Sequence, residues 1–307
     1  MIKPFVRRER LVADSEAKGL GSPGLPQIYI LLAVLGLANM LLLLPSGLYG
    51  RLIGSLVLFC FLPGILLVSL AFSGAAQGGR ALSLLEGVLL GAAASYLLTT
   101  MLLLLLGYLA VPIYPHVVVG VLDALVLVLL HLNRRRGFGF QPPVRGVRER
   151  DRLKAEGLAL LLLISLLTLV LRAGNLGYAE YLGDEAEVVY RARQVVLGNE
   201  EELYLQRKGP TQIMMAAAFI LGTNGFNEAA LRAPFALASF LAVVATYLLG
   251  RSVWNVRVGI AAAALLAIDG IAVGFTRIVQ YQGVVLLVSV LILYSLHRMS
   301  VAEESAV

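Results

Sequence analysis

Long stretches of nearly uninterrupted Leu, Ile, Val and Ala leave this chain very few choices of fold. The runs at about 27–45, 50–72, 82–110, 113–132 and 157–173 approach or exceed the roughly 18 to 20 apolar residues that cross a bilayer core of about 30 Å. Lipid supplies no hydrogen-bond partner, so a spanning segment must pair its backbone internally or close into a barrel. These runs show no barrel-like alternation and therefore read as helices. The expected fold is all-α, a polytopic transmembrane bundle of about eight to nine membrane helices. Charged residues make up 14% of the chain. A soluble domain carries about 25%.

The placement of positive charge orients the chain. Between Asn133 and Glu156 stand Arg134, Arg135, Arg136, Arg145, Arg148, Arg150, Arg152 and Lys154 against Glu149, Asp151 and Glu156. A basic patch between two spans is explained by the positive-inside rule, and no nucleic-acid partner is expected. The basic segment 1–26 reads as a cytoplasmic tail, followed by a four-helix membrane region (27–132) and the basic cytoplasmic linker (133–156). A membrane core (157–298) with an outer loop at 174–209 comes next, then a tail at 299–307. No small-residue cleavage pattern follows the first run, which suits a retained anchor. The single cysteine, Cys60, excludes an internal disulfide and a cysteine metal site.

The segment 157–173 delivers the loop Asn175–Lys208, with seven acidic and four basic residues, to the outer face. Within it Val188, Val189, Ala192, Val195 and Val196 recur at helical spacing, predicting a short amphipathic helix in the headgroup layer. The next apolar stretch, Pro210 to Gly222, is near 20 Å as a helix and short for a crossing. Either it spans, or it dips and returns. In the second arrangement Arg251 and Arg257 are cytoplasmic, Arg277, Gln280 and Tyr281 reach the outer face, and His297-Arg298 ends the last helix inside. Positive-inside bias favours that arrangement.

The polar islands follow an order. Gly183-Asp184-Glu185-Ala186 leads to Gly198, then to Arg207-Lys208-Gly209-Pro210, then to Arg232-Ala233-Pro234-Phe235, and finally to Phe275-Thr276-Arg277. This series resembles the GT-C membrane glycosyltransferases, and within them the protein O-mannosyltransferase and aminoarabinose transferase branch, glycosyltransferase family 39. The likeness covers about residues 157–298, the N-terminal half of that family's core. It departs from the family where Lys208 is followed by Gly209-Pro210 rather than two prolines. Members usually carry further helices beyond this point, so the expectation is either a fragment, or a small protein that ends there, with a partner subunit able to supply the missing C-terminal half. The four N-terminal helices lie outside the likeness.

The resemblance implies a sugar donor on a polyprenyl phosphate, transferred with inversion to a lipid, glycan or protein acceptor. Asp184 would take the acceptor's proton or orient it, with Glu185 supporting it or helping to hold a divalent cation. Lys208, with Arg207 or Arg277, would grip the lipid phosphate, with Arg232, Tyr281 and Gln280 in support. No other cofactor and no dedicated metal site is implied. The chemistry suits these residue types. Phosphate leaves as a stable anion, so the site needs a base and cations rather than a strong acid.

Each residue also has a plainer role. Asp184 and Glu185 suit a helix first turn, and Glu187 with Arg191 suits an exposed i,i+4 pair. Glu200-Glu201-Glu202 suits a solvated run. Arg207 and Lys208 suit interfacial anchors, Arg232 a helix cap or headgroup contact, and Gln280 and Tyr281 helix packing. Asp123 lies deep in its apolar run, where a helix-packing hydrogen bond or a protonated acid is the expected role. Asp269 is similar but nearer a helix end. His116, His131 and His297 fall near helix termini without metal-ligand spacing. Two other function classes stand beside the transferase. One is a non-catalytic scaffold or lipid-binding subunit. The other is a transporter or flippase, disfavoured by the lack of an inverted repeat.

Overall fold

The computed structural model describes residues 25–73, 82–109, 113–138, 155–181, 183–199, 201–204 and 208–304. Its ordered elements are helices: α1 (Leu25–Leu43), α2 (Leu48–Cys60), α3 (Leu62–Phe72), α4 (Leu84–Tyr108), α5 (Pro115–Arg136), α6 (Ala155–Ala173), α7 (Asp184–Val196), α8 (Glu201–Tyr204), α9 (Thr211–Thr223), α10 (Glu228–Val253), α11 (Val256–Ile268), α12 (Gly270–Thr276) and α13 (Gln282–Glu304). Among the described residues, five units are long and apolar enough to cross a membrane: α2–α3, α4, α5, α10 and α13. The α11–α12 pair, bent by 61°, makes a sixth if it counts as one span. The expected eight to nine included the apolar helices α1 and α6, 19 residues each, and α9, which with 13 is short for a crossing.

Local sequence explains the breaks. Pro63 lies in the first turn of α3 and cannot donate to the preceding turn, so the α2–α3 span is interrupted at Phe61. Asp269 separates α11 from α12 and N-caps the latter, accepting from Ala272 N at 2.7 Å. That is the use of this near-terminal carboxylate. Asp123, on α5, accepts from Asn39 Nδ2 of α1 at 2.9 Å, which is the helix-packing hydrogen bond expected of it.

Side-chain contacts sort the helix ends into two sets. At one end Arg298, late in α13, meets Glu86 in the first turn of α4 at 2.6 Å, and Tyr294 donates to the same carboxylate. His297 Nε2 donates to Ser252 O, at the end of α10, at 3.1 Å. At the other end Lys208 meets Asp184, Arg232 meets Glu185, and Val279 N donates to Glu185. The starts of α7, α9 and α10 therefore share one end of the bundle with the α12–α13 turn.

It follows that α9 enters and leaves at that end and does not cross. It lies beneath α7, with Asp184 beside Lys208 where the two begin and Arg193 over the Phe226 ring, 5.3 Å from its centroid, where they finish. Every residue of α9 from Gln212 to Thr223 is buried. Phe219 packs edge-on against Phe59 of α2. Of the two arrangements open in the sequence, the one that dips and returns fits this geometry.

Two arginines hold this end together reciprocally. Arg172, in the last turn of α6, is fully buried. It donates to the terminal carbonyls of α11, Leu266 O and Ala267 O, each at 2.7 Å, and to Ser239 Oγ of α10 at 2.7 Å. Arg277, just past α12, donates to Leu171 O and Gly174 O at the end of α6, each at 2.7 Å. Each cation satisfies carbonyls that a helix C-terminus leaves unpaired and complements its dipole. Arg172→Met would leave two buried carbonyls and a hydroxyl without donors. We expect it to lower folding stability by about 2–4 kcal/mol, read as a lower thermal midpoint of the detergent-solubilised protein.

Candidate functional site

The site is built where α7 begins. Gly183, its N-cap, has φ +56 and ψ −130, a backbone that only glycine adopts without strain. It turns the chain so that two adjacent carboxylates diverge. Asp184 points outward, its side chain 60% exposed, and meets Lys208 Nζ at 2.5 Å. Glu185 points inward and is 3% exposed. Gly209, with φ +85, makes the corresponding turn beside Lys208 and leads into α9.

Glu185 is held on three sides. Arg232 Nε reaches its Oε1 at 2.7 Å, Arg232 Nη2 its Oε2 at 2.8 Å, and Val279 N its Oε1 at 2.9 Å. Both oxygens are thus engaged by the protein itself. Arg232 is 1% exposed and also donates to Leu176 O, Ala179 O and Glu180 O. Its guanidinium lies over the rings of Tyr178 and Tyr181, 4.9 and 5.4 Å from their centroids. This one fork fixes the loop after α6, the start of α7 and the first turns of α10. Arg232 is neither a helix cap nor a headgroup contact, because it lies one turn into α10 on the face turned toward the α6–α7 loop.

Beside the outer pair opens a cavity of ≈ 270 Å³, lined by Lys208, Gly209, Thr211 and Tyr281 and then by Val284, Val285, Val288 and Ser289 of α13. Lys208, Thr211 and Tyr281 make one end cationic and hydroxylic, and Val284, Val285 and Val288 make the wall along α13 apolar up to the Ser289 hydroxyl. Asp184's carboxylate raises the Lys208 ammonium above its ordinary pKa of 10.5, chiefly by accepting its hydrogen bond. The stability gained from this contact is therefore full below the ordinary lysine value and is lost as pH rises through the raised one. Burial, and then the charge of Glu228, push the Tyr181 hydroxyl up, so it stays protonated at neutral pH.

The structure thus brings Asp184, Glu185, Lys208, Arg232 and Tyr281 to one end of the bundle. Arg277 is there too, but its donors are taken by α6 carbonyls and its guanidinium lies over Tyr178, so it braces the loop rather than lining the cavity. Gln280 is buried and accepts from Gln282 Nε2 at 2.7 Å, a packing contact. Arg207 lies outside the described residues. Glu187 and Arg191 form the expected i,i+4 pair at 2.7 Å, and Arg191 also meets Glu202 at 3.3 Å. Sequence reading passed over Arg172, Tyr178, Tyr181 and Thr211. Only Arg172 carried a signal, as a lone cation closing the apolar run 158–171.

Comparison with known proteins gives one family. Residues 209–306 match the family described as dolichyl-phosphate-mannose-protein mannosyltransferase. The match bears out the likeness drawn from the ordered motifs and supports the GT-C glycosyltransferase superfamily. It spans the last third of the chain, from Gly209 through α13, and Asp184, Glu185 and Lys208 precede it. With the apolar helices, it makes the protein an integral membrane protein. No curated protein and no solved structure matches the chain.

Proposed function

We propose, from a C-terminal third of this mannosyltransferase type, that the chain transfers a sugar from a polyprenyl-phosphate donor to an acceptor on the extracytoplasmic side. The observation that carries the reading is the cavity, whose two ends differ as the two ends of such a donor do. Lys208, with Thr211 and Tyr281 beside it, meets the phosphate. The valines of α13 meet the first isoprene units, where apolar contact rather than hydrogen bonding is needed. The span α4 starts at the Glu86–Arg298 end of the bundle, and the next span, α5, closes in Arg134, Arg135 and Arg136; this positive charge supports an extracytoplasmic site at the opposite end.

In the reaction the acceptor oxygen bonds to the anomeric carbon from the face opposite the phosphate, so the configuration inverts. The bond from that carbon to the phosphate oxygen breaks, and its electron pair stays on the phosphate. The acceptor's proton passes to Asp184 and from there to solvent. Lys208 balances charge on the leaving phosphate. Glu185 and Arg232 act at one remove, by fixing the backbone that presents Asp184. Their mutual engagement gives Glu185 this role rather than that of a ligand for a divalent cation.

Lys208→Gln tests the donor assignment. Losing one charged contact to phosphate should raise the apparent KM for a polyprenyl-phosphate sugar by about 10- to 100-fold, with a smaller fall in kcat. The assay uses proteoliposomes of the purified chain. An unchanged donor KM would remove Lys208 from the phosphate site.

A further inference from the structure

Two adjacent carboxylates form two adjacent ion pairs, and the pairs differ in how readily they can part. Glu185 and Arg232 are 3% and 1% exposed, and six hydrogen bonds join them to each other, to the Val279 amide and to three loop carbonyls. Opening that pair would strand two charges in a medium that cannot solvate them. Asp184 and Lys208 are 60% and 39% exposed, and a single contact joins them. Water can solvate both when they separate, so an exposed pair of this kind is only weakly held. Side-chain rotation alone parts them.

From this contrast we infer that the Asp184–Lys208 pair is a latch, opened by the phosphate of the lipid donor when it takes Lys208, and that the donor therefore binds before the acceptor. The inference rests on the donor assignment proposed above and adds the order of events to it. In the resting site one Asp184 oxygen is occupied by the ammonium. Lys208 also lines the cavity, so an anion entering there competes for the same Nζ. A phosphate offers several oxygens and at least an equal charge, which lets it displace a single carboxylate. Once it has done so, Asp184 stands beside an anion instead of a cation. Both Asp184 oxygens are then open to an acceptor hydroxyl, as a base for it requires.

The charge balance carries the cycle onward. The donor phosphate is a diester with one negative charge, and after transfer it is a monoester with up to two. The spent lipid therefore grips Lys208 harder than the donor did, and the latch closes again only when that lipid leaves. Asp184 gives its proton to solvent in the same interval. Spent carrier is thus expected to keep the pair open.

A zero-length carbodiimide reads the latch without any turnover. It joins a carboxylate to an amine in direct contact, so the resting protein in detergent should yield an Asp184–Lys208 isopeptide, seen as a cross-linked peptide by mass spectrometry and absent from Asp184→Asn. Farnesyl phosphate, farnesol and inorganic phosphate are the three probes, with binding followed separately by equilibrium dialysis of the labelled compound. Farnesyl phosphate should lower the cross-link by about fivefold or more, while farnesol and equimolar inorganic phosphate leave it within about twofold. Bound farnesyl phosphate with an undiminished cross-link would overturn the latch and leave the donor assignment standing. Absence of farnesyl phosphate binding would overturn both. An equal fall with inorganic phosphate would make Lys208 a simple anion site and overturn the lipid-triggered order.

Discussion

Asp184→Asn is expected to lower sugar transfer by about 10²- to 10⁴-fold while the protein stays folded, the loss that accompanies removal of a general base. The two halves of this result rest on different observations. The fold should survive because the side chain is 60% exposed and its contact with Lys208 is an exposed pair, worth about 0–1 kcal/mol. Transfer should fail because an amide cannot accept the proton that the acceptor must lose. Turnover in proteoliposomes and the thermal midpoint in detergent, measured on one preparation, separate the two. Wild-type turnover in the mutant would remove the catalytic reading and leave a lipid-binding subunit as the better description. Loss of turnover together with a much lower midpoint would move Asp184 from the chemistry to the fold.

Breaking the inner pair should have the opposite signature. Arg232→Met is expected to cost about 3–5 kcal/mol of stability, because it leaves the Glu185 carboxylate buried without its cation. It also orphans the carbonyls of Leu176, Ala179 and Glu180. Combining it with Glu185→Gln removes the stranded charge, so the double variant should recover part of the loss and be more stable than Arg232→Met alone. Denaturant or thermal unfolding of the four proteins in the cycle measures this coupling. Additive losses would show that the pair is not a unit. Transfer in the double variant should fall by more than its loss of stability accounts for, since neither residue lines the cavity but both fix the backbone that presents Asp184.

Much of the fold was legible because lipid imposes one rule on every segment. The apolar runs predicted at 50–72, 82–110 and 113–132 became Leu48–Phe72, Leu84–Tyr108 and Pro115–Arg136. The valine and alanine spacing in the loop 174–209 became α7, with Val188, Val189, Ala192 and Val195 buried. The ordered motifs from Gly183 to Arg277 named the family type that the match at 209–306 supports. Less was legible where partners come from far along the chain. Arg232 and Glu185 are 47 residues apart, and Arg277 and Leu171 are 106 apart. Nothing in the local pattern distinguishes Arg277, which braces a helix end, from Lys208, which lines a cavity.

The amino-acid order by itself determined that the chain is a bundle of membrane helices, where its positive charge gathers, and where acidic and basic islands interrupt the apolar runs. Those properties follow from transfer free energies and backbone pairing, which each segment satisfies alone. Only the tertiary structure decided that α9 turns back beneath α7. It alone showed that neighbouring carboxylates Asp184 and Glu185 face opposite environments, and that one cation is exposed while another is locked. Those outcomes depend on which distant groups meet across the bundle, and a charge becomes mobile or fixed according to what its neighbours leave open to water.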